Sequence, residues 1–150
     1  MTKAIYFDMD GTIANLYGIE NWLEHLINEH TKPYREAKAM VDMRVLGREL
    51  NRLKAEGYVV GVVSWLSKCG TDDYNARVTK AKREWLAKHL SAVEWDEIHI
   101  VKYGTPKHEV ANYPNGILFD DEERNRKNWA LGDGLAFDVD NIVEILRGLR

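Results

Sequence analysis

Acidic side chains stand directly after two short apolar runs of the sequence. Asp8 and Asp10 follow the run AIYF near the start of the chain, and Asp120 and Asp121 follow the run ILF. Carboxylates that converge on one point repel one another and raise one another's pKa unless a cation joins them. Because Mg²⁺ prefers a few carboxylates together with water and phosphate oxygens, this pattern predicts a magnesium site.

A hydroxyl group and an ammonium group complete this set of residue types. Ser64 follows the apolar run YVVGVV, and the segment KYGTPK carries Lys102 and Lys107. Such groups can hold the oxygens of a phosphoryl group. Backbone N–H groups around Gly11, where no Cβ hinders a ligand, can serve the same purpose. The residue types together indicate chemistry on a phosphate.

Two of these assignments have rivals within the sequence. Lys107 is favoured over Lys102, because Pro106 is predicted to be the first residue of a helix whose backbone N–H groups would point at the phosphate. The second pair of acids has a rival in Asp133 and Asp138, which form the pattern GD-x4-D. The residues before Asp133, NWAL, make a poorer strand than ILF, so Asp120 is preferred.

Short strands must position these groups. Each candidate strand is rich in β-branched or aromatic residues and is bounded by Gly, Asp or Pro. The candidates are residues 4–7, 58–63, 97–101, 117–119 and 135–139. Strands that alternate with helical segments predict an α/β fold with a mainly parallel five-stranded sheet and helices on both faces. In such sheets ligands bind at the carboxyl ends of the strands, where the acids lie.

Helical periodicity separates the strands. One apolar stripe follows Thr71, which is a predicted N-cap, and another ends at Gly57, the expected residue after a helix C-terminus. Asp140 is expected to cap a last helix. The two stripes consist of Tyr74, Val78, Ala81 and Trp85, and of Leu46, Leu50 and Leu53.

The segment between the first two strands is too long for a single crossover helix. It holds an amphipathic stretch at residues 19–30 and a second one from about Pro33. We expect one domain over residues 1–150, with a small helical cap within about 13–45. Aromatic residues of this cap, such as Tyr17, Trp22 and Tyr34, either pack it onto the body or stack on a substrate ring.

Composition disfavours several classes of protein. The hydrophobic fraction of 45% and charged fraction of 30% are typical of globular proteins, and the net charge of −3 makes nucleic acid an unlikely partner. The five histidines show no metal-binding spacing, so zinc is not expected. One cysteine, Cys69, and no long apolar run predict a cytoplasmic protein without membrane contact.

The motifs in their order resemble the signature of the haloacid dehalogenase (HAD) superfamily. DMDGT, an apolar run with a serine, a lysine and then ILFDD span residues 4–121. The resemblance implies a Rossmann-like HAD fold with a minimal helical cap, and it makes Asp8 a nucleophile that forms an aspartyl-phosphate. Asp10 would protonate the leaving oxygen and then activate water. Because an acid stands at Asp10, hydrolysis of phosphate esters or a phosphomutase activity is implied, whereas dehalogenases lack this acid.

The resemblance also implies a ligand set. Mg²⁺ would be held by Asp8, the Asp10 backbone carbonyl and Asp120, with Asp121 acting directly or through water. The phosphoryl group would be bound by Ser64 and Lys107. Further substrate contacts are expected from Gly11, Thr12 and Trp65, although Trp65 could equally be a packing residue.

The expected substrate is a small phosphorylated molecule. A weaker similarity to 5′(3′)-deoxyribonucleotidases and short HAD proteins of bacteria and phages favours a nucleoside 5′-monophosphate. One alternative is a phosphatase for polynucleotide or other macromolecular phosphate ends. Another is a non-catalytic, receiver-like module that responds to phosphate, although a receiver has no need of the acid at Asp10.

Overall fold

The computed structural model describes all 150 residues, Met1–Arg150. The strands are β1 (Ala4–Phe7), β2 (Ala14–Asn15), β3 (Lys38–Ala39), β4 (Val59–Trp65), β5 (Glu97–Val101), β6 (Ile117–Phe119) and β7 (Leu135–Phe137). Five of them form one sheet in the order β5-β4-β1-β6-β7, and every pairing in it is parallel. The predicted five-stranded parallel sheet is therefore confirmed. The sequence had predicted that Ser64 and Trp65 follow the strand. β4 ends only at Trp65, so both residues lie within it.

The central strand β1 sets the position of the site. It pairs with β4 on one side and with β6 on the other. The chain crosses first to one side of β1 and later to the other, so the order of strands reverses at the tip of β1. Its residues are buried on both faces, with Ile5, Tyr6 and Phe7 at 0% exposure. Residues that follow β1 and β6 thus emerge side by side at one edge of a rigid core.

Helices cover both faces of the sheet, as predicted. They are α1 (Trp22–Ile27), α2 (Lys32–Glu36), α3 (Met43–Ala55), α4 (Asp72–His89), α5 (Lys107–Val110), α6 (Glu123–Trp129) and α7 (Ile142–Gly148). Leu50 of α3, Trp85 of α4 and Leu146 of α7 join the larger core cluster with Phe7. On the opposite face Trp129 of α6 packs against Tyr6. None of the helices is both long and apolar enough to cross a membrane.

The helix ends agree with the sequence in two places and differ in two others. Thr71 caps α4 by accepting a hydrogen bond from the Tyr74 N–H, and Gly57 has a φ of 96° after α3. Asp140 does not cap the last helix, because it lies in a 3₁₀ turn and α7 begins at Ile142. Pro106 immediately precedes α5, whose first residue is Lys107.

The insert between β1 and α3 is a compact addition to the body. Its two ends are joined by the antiparallel pair β2 and β3, and α1 and α2 lie between them. Leu16 and Tyr34 of the insert form a buried cluster with Tyr74, Val78 and Ala81 of α4. The insert therefore rests on α4, beside the carboxyl ends of the strands.

Candidate active site

Three carboxylates converge at the tips of β1 and β6. Asp8 and Asp120 directly follow these strands, and the Asp8 N–H donates to the Phe119 carbonyl at 2.9 Å, which holds the two strand ends together. Carboxylate oxygens of Asp8, Asp120 and Asp121 lie within 4.8 Å of one another. Asp120 is fully buried and Asp8 is 8% exposed. The structure thus brings together three of the four acids singled out from the sequence.

Lys107 lies between two of these acids. Its Nζ donates to Asp8 Oδ1 at 2.9 Å and to Asp120 Oδ2 at 2.7 Å, and the residue is 4% exposed. Burial alone would lower the pKa of Lys107, but the carboxylates of Asp8 and Asp120 outweigh it and raise that pKa. The lysine is therefore charged at neutral pH. Lys102, its rival in the sequence, is exposed.

One ammonium does not neutralise three converging acids. Burial, followed by repulsion from Asp8, raises the pKa of Asp120 to about 6 and that of Asp121 to about 7. A site with unbalanced negative charge and hard oxygen donors fits a divalent cation such as Mg²⁺. The donor set therefore agrees with the predicted magnesium site.

A tight turn after β1 keeps the acids close. Gly11 has a φ of 80°, and a Cβ at this position would collide with the Asp121 carboxylate. Thr12 is fully buried, and its Oγ1 lies 3.2 Å from both Asp8 Oδ2 and Asp121 Oδ1. The same Oγ1 accepts a hydrogen bond from the Asp121 N–H at 3.2 Å. Gly11 and Thr12 thus position carboxylates, and their predicted contact with substrate remains a prediction.

Asp10 stands apart from the three clustered acids. Its Oδ2 accepts a hydrogen bond at 2.9 Å from Lys82, whose Nζ also lies 2.7 Å from Ser64 Oγ. Burial raises the pKa of Asp10, the Lys82 ammonium opposes this and the Asp8 carboxylate adds to it. The side chain of Asp10 is therefore not part of the cation cluster, and the predicted metal contact through its backbone carbonyl remains a prediction.

Sequence reasoning missed Lys82 and Asn125. Lys82 is 1% exposed and follows Tyr74 and Val78 at four-residue intervals, so a charged residue occupies the buried stripe of α4. That mismatch was visible in the sequence. Asn125 donates to Asp120 Oδ2 at 3.2 Å, but it lies in a polar run that carried no signal.

A cavity of about 480 Å³ opens above these groups. Asp8, Asp10, Lys107 and Asp121 line one part of it. The insert contributes a mostly apolar wall that consists of Leu16, Tyr17, Trp22, Leu23, Leu26 and Ile27. The site is therefore a charged floor next to an apolar wall, which is the usual construction of a pocket for a small molecule.

Trp65 lies on the wall of this cavity. Its Nε1 donates to the Thr105 carbonyl at 2.8 Å, and its ring lies 4.9 Å from the ring of Tyr103. Lys107 Nζ is 5.5 Å from the centre of the Trp65 ring. These contacts fix the tryptophan, so it packs and also borders the cavity. Ser64, in contrast, is fully buried beneath the wall.

The rival acids lie outside the cluster. Asp133 follows a 3₁₀ turn in a left-handed conformation with a φ of 65°. Asp138 accepts a hydrogen bond from the Val139 N–H and belongs to no group of clustered acids. The geometry therefore favours the pair that follows ILF over the GD-x4-D pattern.

No family model and no curated protein sequence matches the chain. Its structure is similar to D,D-heptose 1,7-bisphosphate phosphatase from Burkholderia thailandensis, at 16% identity and a TM-score of 0.60, over 97% of each chain. The corresponding phosphatase from B. bronchiseptica, complexed with magnesium and phosphate, matches at 15% identity and a TM-score of 0.60, over 90% of this chain and 78% of that one.

A HAD family enzyme from Bacteroides thetaiotaomicron, in complex with magnesium and inorganic phosphate, is also similar. Its identity is 12% and its TM-score 0.54, over 92% of this chain and 94% of that one. The match extends over nearly the whole chain, so the fold as a whole is shared. The chain therefore has the α/β fold of the HAD-family phosphatases.

Proposed function

We propose that the chain is a magnesium-dependent phosphatase that hydrolyses phosphate monoesters through an aspartyl-phosphate on Asp8. The observation that carries the proposal is the convergence of Asp8, Asp120 and Asp121 with Lys107 at the floor of a cavity. Converging charged groups whose net charge is only partly neutralised by their neighbours are typical of active sites.

The residues that would hold Mg²⁺ are Asp8, Asp120 and Asp121, with the backbone carbonyl of Asp10. The raised pKa values of Asp120 and Asp121 support this assignment, because they reflect charge that a divalent cation would offset. When bound, the cation would polarise a phosphoryl oxygen and offset the negative charge of the nucleophile and the phosphate.

The covalent step assigns a separate task to each of the other residues. An oxygen of Asp8 forms a bond to phosphorus, while the bond between phosphorus and the leaving oxygen breaks. Lys107 stabilises the negative charge of the transferring group. Ser64 is fully buried and does not line the cavity, so its predicted contact with the phosphoryl group remains a prediction. Asp10 gives its proton to the leaving oxygen, so the alcohol departs neutral.

The second half of the reaction regenerates the enzyme. Asp10, now ionised, takes a proton from a water molecule whose oxygen bonds to phosphorus, and the bond from Asp8 to phosphorus breaks. Inorganic phosphate leaves, and both acids return to their starting states. Burial raises the pKa of Asp10 above its ordinary value, which favours the protonated form that the first step requires.

A nucleoside 5′-monophosphate is the substrate that the cavity supports best. A flat base with a large apolar surface suits a wall formed by Tyr17, Trp22 and aliphatic side chains of the insert. The rings of Tyr17 and Trp22 lie 4.8 Å apart in an edge-to-face arrangement. In this proposal residues 13–45 act as a small cap that contacts the leaving group.

The test is turnover by the purified protein. With Mg²⁺ we expect hydrolysis of p-nitrophenyl phosphate, and no hydrolysis after the metal is removed with EDTA. A panel of deoxynucleoside 5′- and 3′-monophosphates, sugar phosphates and 5′- or 3′-phosphorylated oligonucleotides then identifies the leaving group. Preference for the oligonucleotides would favour the macromolecular alternative.

A matched pair of variants tests the role of the insert. Trp22→Ala removes an aromatic ring from the cavity wall, and we expect the KM for the preferred nucleotide to rise while turnover of p-nitrophenyl phosphate changes little. Trp95→Ala removes a tryptophan that does not line the cavity and serves as the control. If Trp22→Ala leaves the nucleotide KM unchanged, the insert does not bind the leaving group.

A further inference from the structure

We propose that Lys82 is a positioning residue, whose ammonium holds Asp10 toward the leaving group and fixes the buried Ser64 hydroxyl. This inference rests on the proposed function. Lys82 lies on α4, and the two residues that it joins lie after β1 and on β4, so one side chain connects three elements at the carboxyl edge of the sheet.

The ammonium of Lys82 has no hydrogen left for a substrate. A lysine ammonium has three donors. Lys82 Nζ lies 2.9 Å from Asp10 Oδ2, 2.7 Å from Ser64 Oγ and 2.7 Å from the Trp65 carbonyl oxygen. All three donors are therefore used within the protein. Lys82 acts through its partners and is distinct from Lys107, which lies on the cavity wall.

These contacts set the direction in which each partner can act. Ser64 Oγ accepts a hydrogen bond from Lys82, which fixes the hydroxyl beneath the cavity wall. Lys82 holds Oδ2 of Asp10 and leaves Oδ1 free to meet the leaving oxygen. Asp10 lines the cavity, whereas Lys82 is 1% exposed behind it. Lys82 thus fixes the acid without competing for the substrate.

Stability alone does not account for a lysine at this position. A buried ion pair is often no more stabilising than apolar side chains of similar volume, because both charges lose their hydration. The neighbouring positions on the stripe, Val78, Ala81 and Trp85, are apolar and buried. A methionine or leucine would continue that stripe, so the charge is better explained by the two site residues that it contacts.

Tyr34 of the insert covers the Lys82 ammonium. The Lys82 ammonium lies 5.2 Å from the centre of the Tyr34 ring, and Tyr34 is 5% exposed. An ammonium over an aromatic face is favourable, and the ring keeps water away from the pair of Lys82 and Asp10. The insert therefore contributes to the geometry of the acid as well as to the cavity wall.

Leaving-group dependence tests this role. In Lys82→Met we expect kcat for an alkyl phosphate, whose leaving oxygen needs a proton, to fall by about 10²-fold. For p-nitrophenyl phosphate, whose leaving group departs readily as an anion, we expect a fall of about 10-fold or less, because little proton transfer is needed. Lys80→Met, on the same helix and with a side chain that is 79% exposed, is the matched control and should behave as wild type.

A second comparison shows whether Lys82 acts through Asp10. In an Asp10→Asn background, Lys82→Met should change kcat by the same factor for both substrates. A loss of equal size for both substrates in the otherwise wild-type background would overturn the inference, because a general structural defect predicts that result. If Lys82→Met does not fold, Lys82→Gln is measured in the same way, and failure of both to fold would also overturn it. Absence of turnover in the wild type would instead reject the proposed function.

Discussion

Two buried polar networks share the central sheet, and they differ in how completely their charges are balanced. The strand-tip network comprises Asp8, Asp10, Asp120 and Asp121 with Lys82 and Lys107, and four of these side chains line the cavity. The mid-sheet network lies between β1 and β5 and comprises Tyr6, Glu97 and His99. Neither Tyr6 nor Glu97 nor His99 borders that cavity.

The polar groups of the mid-sheet network have hydrogen-bond partners within the protein. The Tyr6 hydroxyl donates to Glu97 Oε2 at 2.8 Å, and His99 Nε2 lies 2.8 Å from Glu97 Oε1. The Asn112 N–H donates to Glu97 Oε1 at 3.1 Å. Gly61 lies between the two strands, and a Cβ there would come within 2.8 Å of the Tyr6 ring. One carboxylate with several donors needs no further partner.

The strand-tip network has an excess of negative charge. It holds four carboxylates against two ammonium groups, and the pKa values of Asp10, Asp120 and Asp121 are all raised by burial. Burial of polar groups therefore does not by itself identify a functional site. Negative charge that is not neutralised next to a cavity does identify such a site, because a bound cation can neutralise it.

Asp8→Asn should separate the networks most strongly. Loss of the nucleophile removes the covalent step, so we expect kcat to fall by roughly 10⁴-fold or more. The fold should be unchanged, because asparagine has the same shape and removes part of the repulsion. Glu97→Gln is the matched change in the mid-sheet network, and its activity should stay within about twofold of wild type. Steady-state kinetics with Mg²⁺ and circular dichroism measure both effects, and full activity of Asp8→Asn would contradict the account.

A pair of lysine variants tests which lysine of this segment belongs to the strand-tip network. Lys107→Met leaves Asp8 and Asp120 without their shared donor, and we expect kcat/KM to fall by about 10²–10³-fold, as for other groups that stabilise transition-state charge. Lys102→Met changes an exposed lysine of the same segment and should have little effect. The comparison fails if only Lys102→Met loses activity, since Lys102 would then be the phosphate-binding residue.

Tyr6→Phe, in the mid-sheet network, should reduce stability and leave activity almost unchanged. It removes a buried donor from Glu97, so we expect a loss of about 1–3 kcal/mol in the free energy of unfolding. Turnover should remain near that of wild type, because the site lies at the strand tips. Urea unfolding and kinetics on the same sample measure both quantities. A large loss of kcat without a loss of stability would indicate that the two networks are coupled.

The smallest expected effect is the response of stability to pH and Mg²⁺. The pKa values of Asp120, about 6, and Asp121, about 7, lie above the ordinary 3.8, so the folded state binds these protons more tightly than the unfolded state. That contribution is complete below pH 3.8 and is lost as the pH rises through 6 and 7. We expect the metal-free protein to lose about 1 kcal/mol between about pH 5 and 8, after allowance for solvent screening.

Bound Mg²⁺ should reverse that loss, because it favours the ionised carboxylates. The increase in Tm on adding Mg²⁺ should therefore be larger at about pH 8 than at about pH 5. Asp121→Asn should reduce both the pH dependence and the increase with Mg²⁺. An increase in Tm that is equal at both pH values would argue against carboxylates as the metal ligands.

Much of this arrangement was predictable from local sequence. The inner strands β1, β4 and β6 are almost continuous apolar runs, and burial on both faces explains why they were simple to identify. Asp8 and Asp120 were identified because each directly follows such a strand. Lys107 was identified because it lies at the predicted start of a helix. The choice of Lys107 over Lys102 depended on Pro106, and Lys107 is the lysine that contacts Asp8 and Asp120. Its contact with phosphate remains a prediction.

The remaining features depend on tertiary contacts. Lys82 is 72 residues from Asp10 in the chain, and only the packing of α4 against the sheet brings them together. Asp140 failed as a helix cap because Asp138 starts a 3₁₀ turn before α7, and such short turns leave little sequence signal. Ser64 lies inside β4 because the strand continues through a tryptophan that the pattern of aliphatic residues did not include.

Trapping of the aspartyl-phosphate tests whether Asp8 is the nucleophile. The protein is mixed with substrate and Mg²⁺, quenched during turnover and treated with borohydride, which reduces an acyl phosphate to an alcohol. Peptide mass spectrometry should then find homoserine in place of Asp8 in the wild type, and no such conversion in a sample without substrate. Turnover without any modification of Asp8, or reduction at a different carboxylate, would contradict the account.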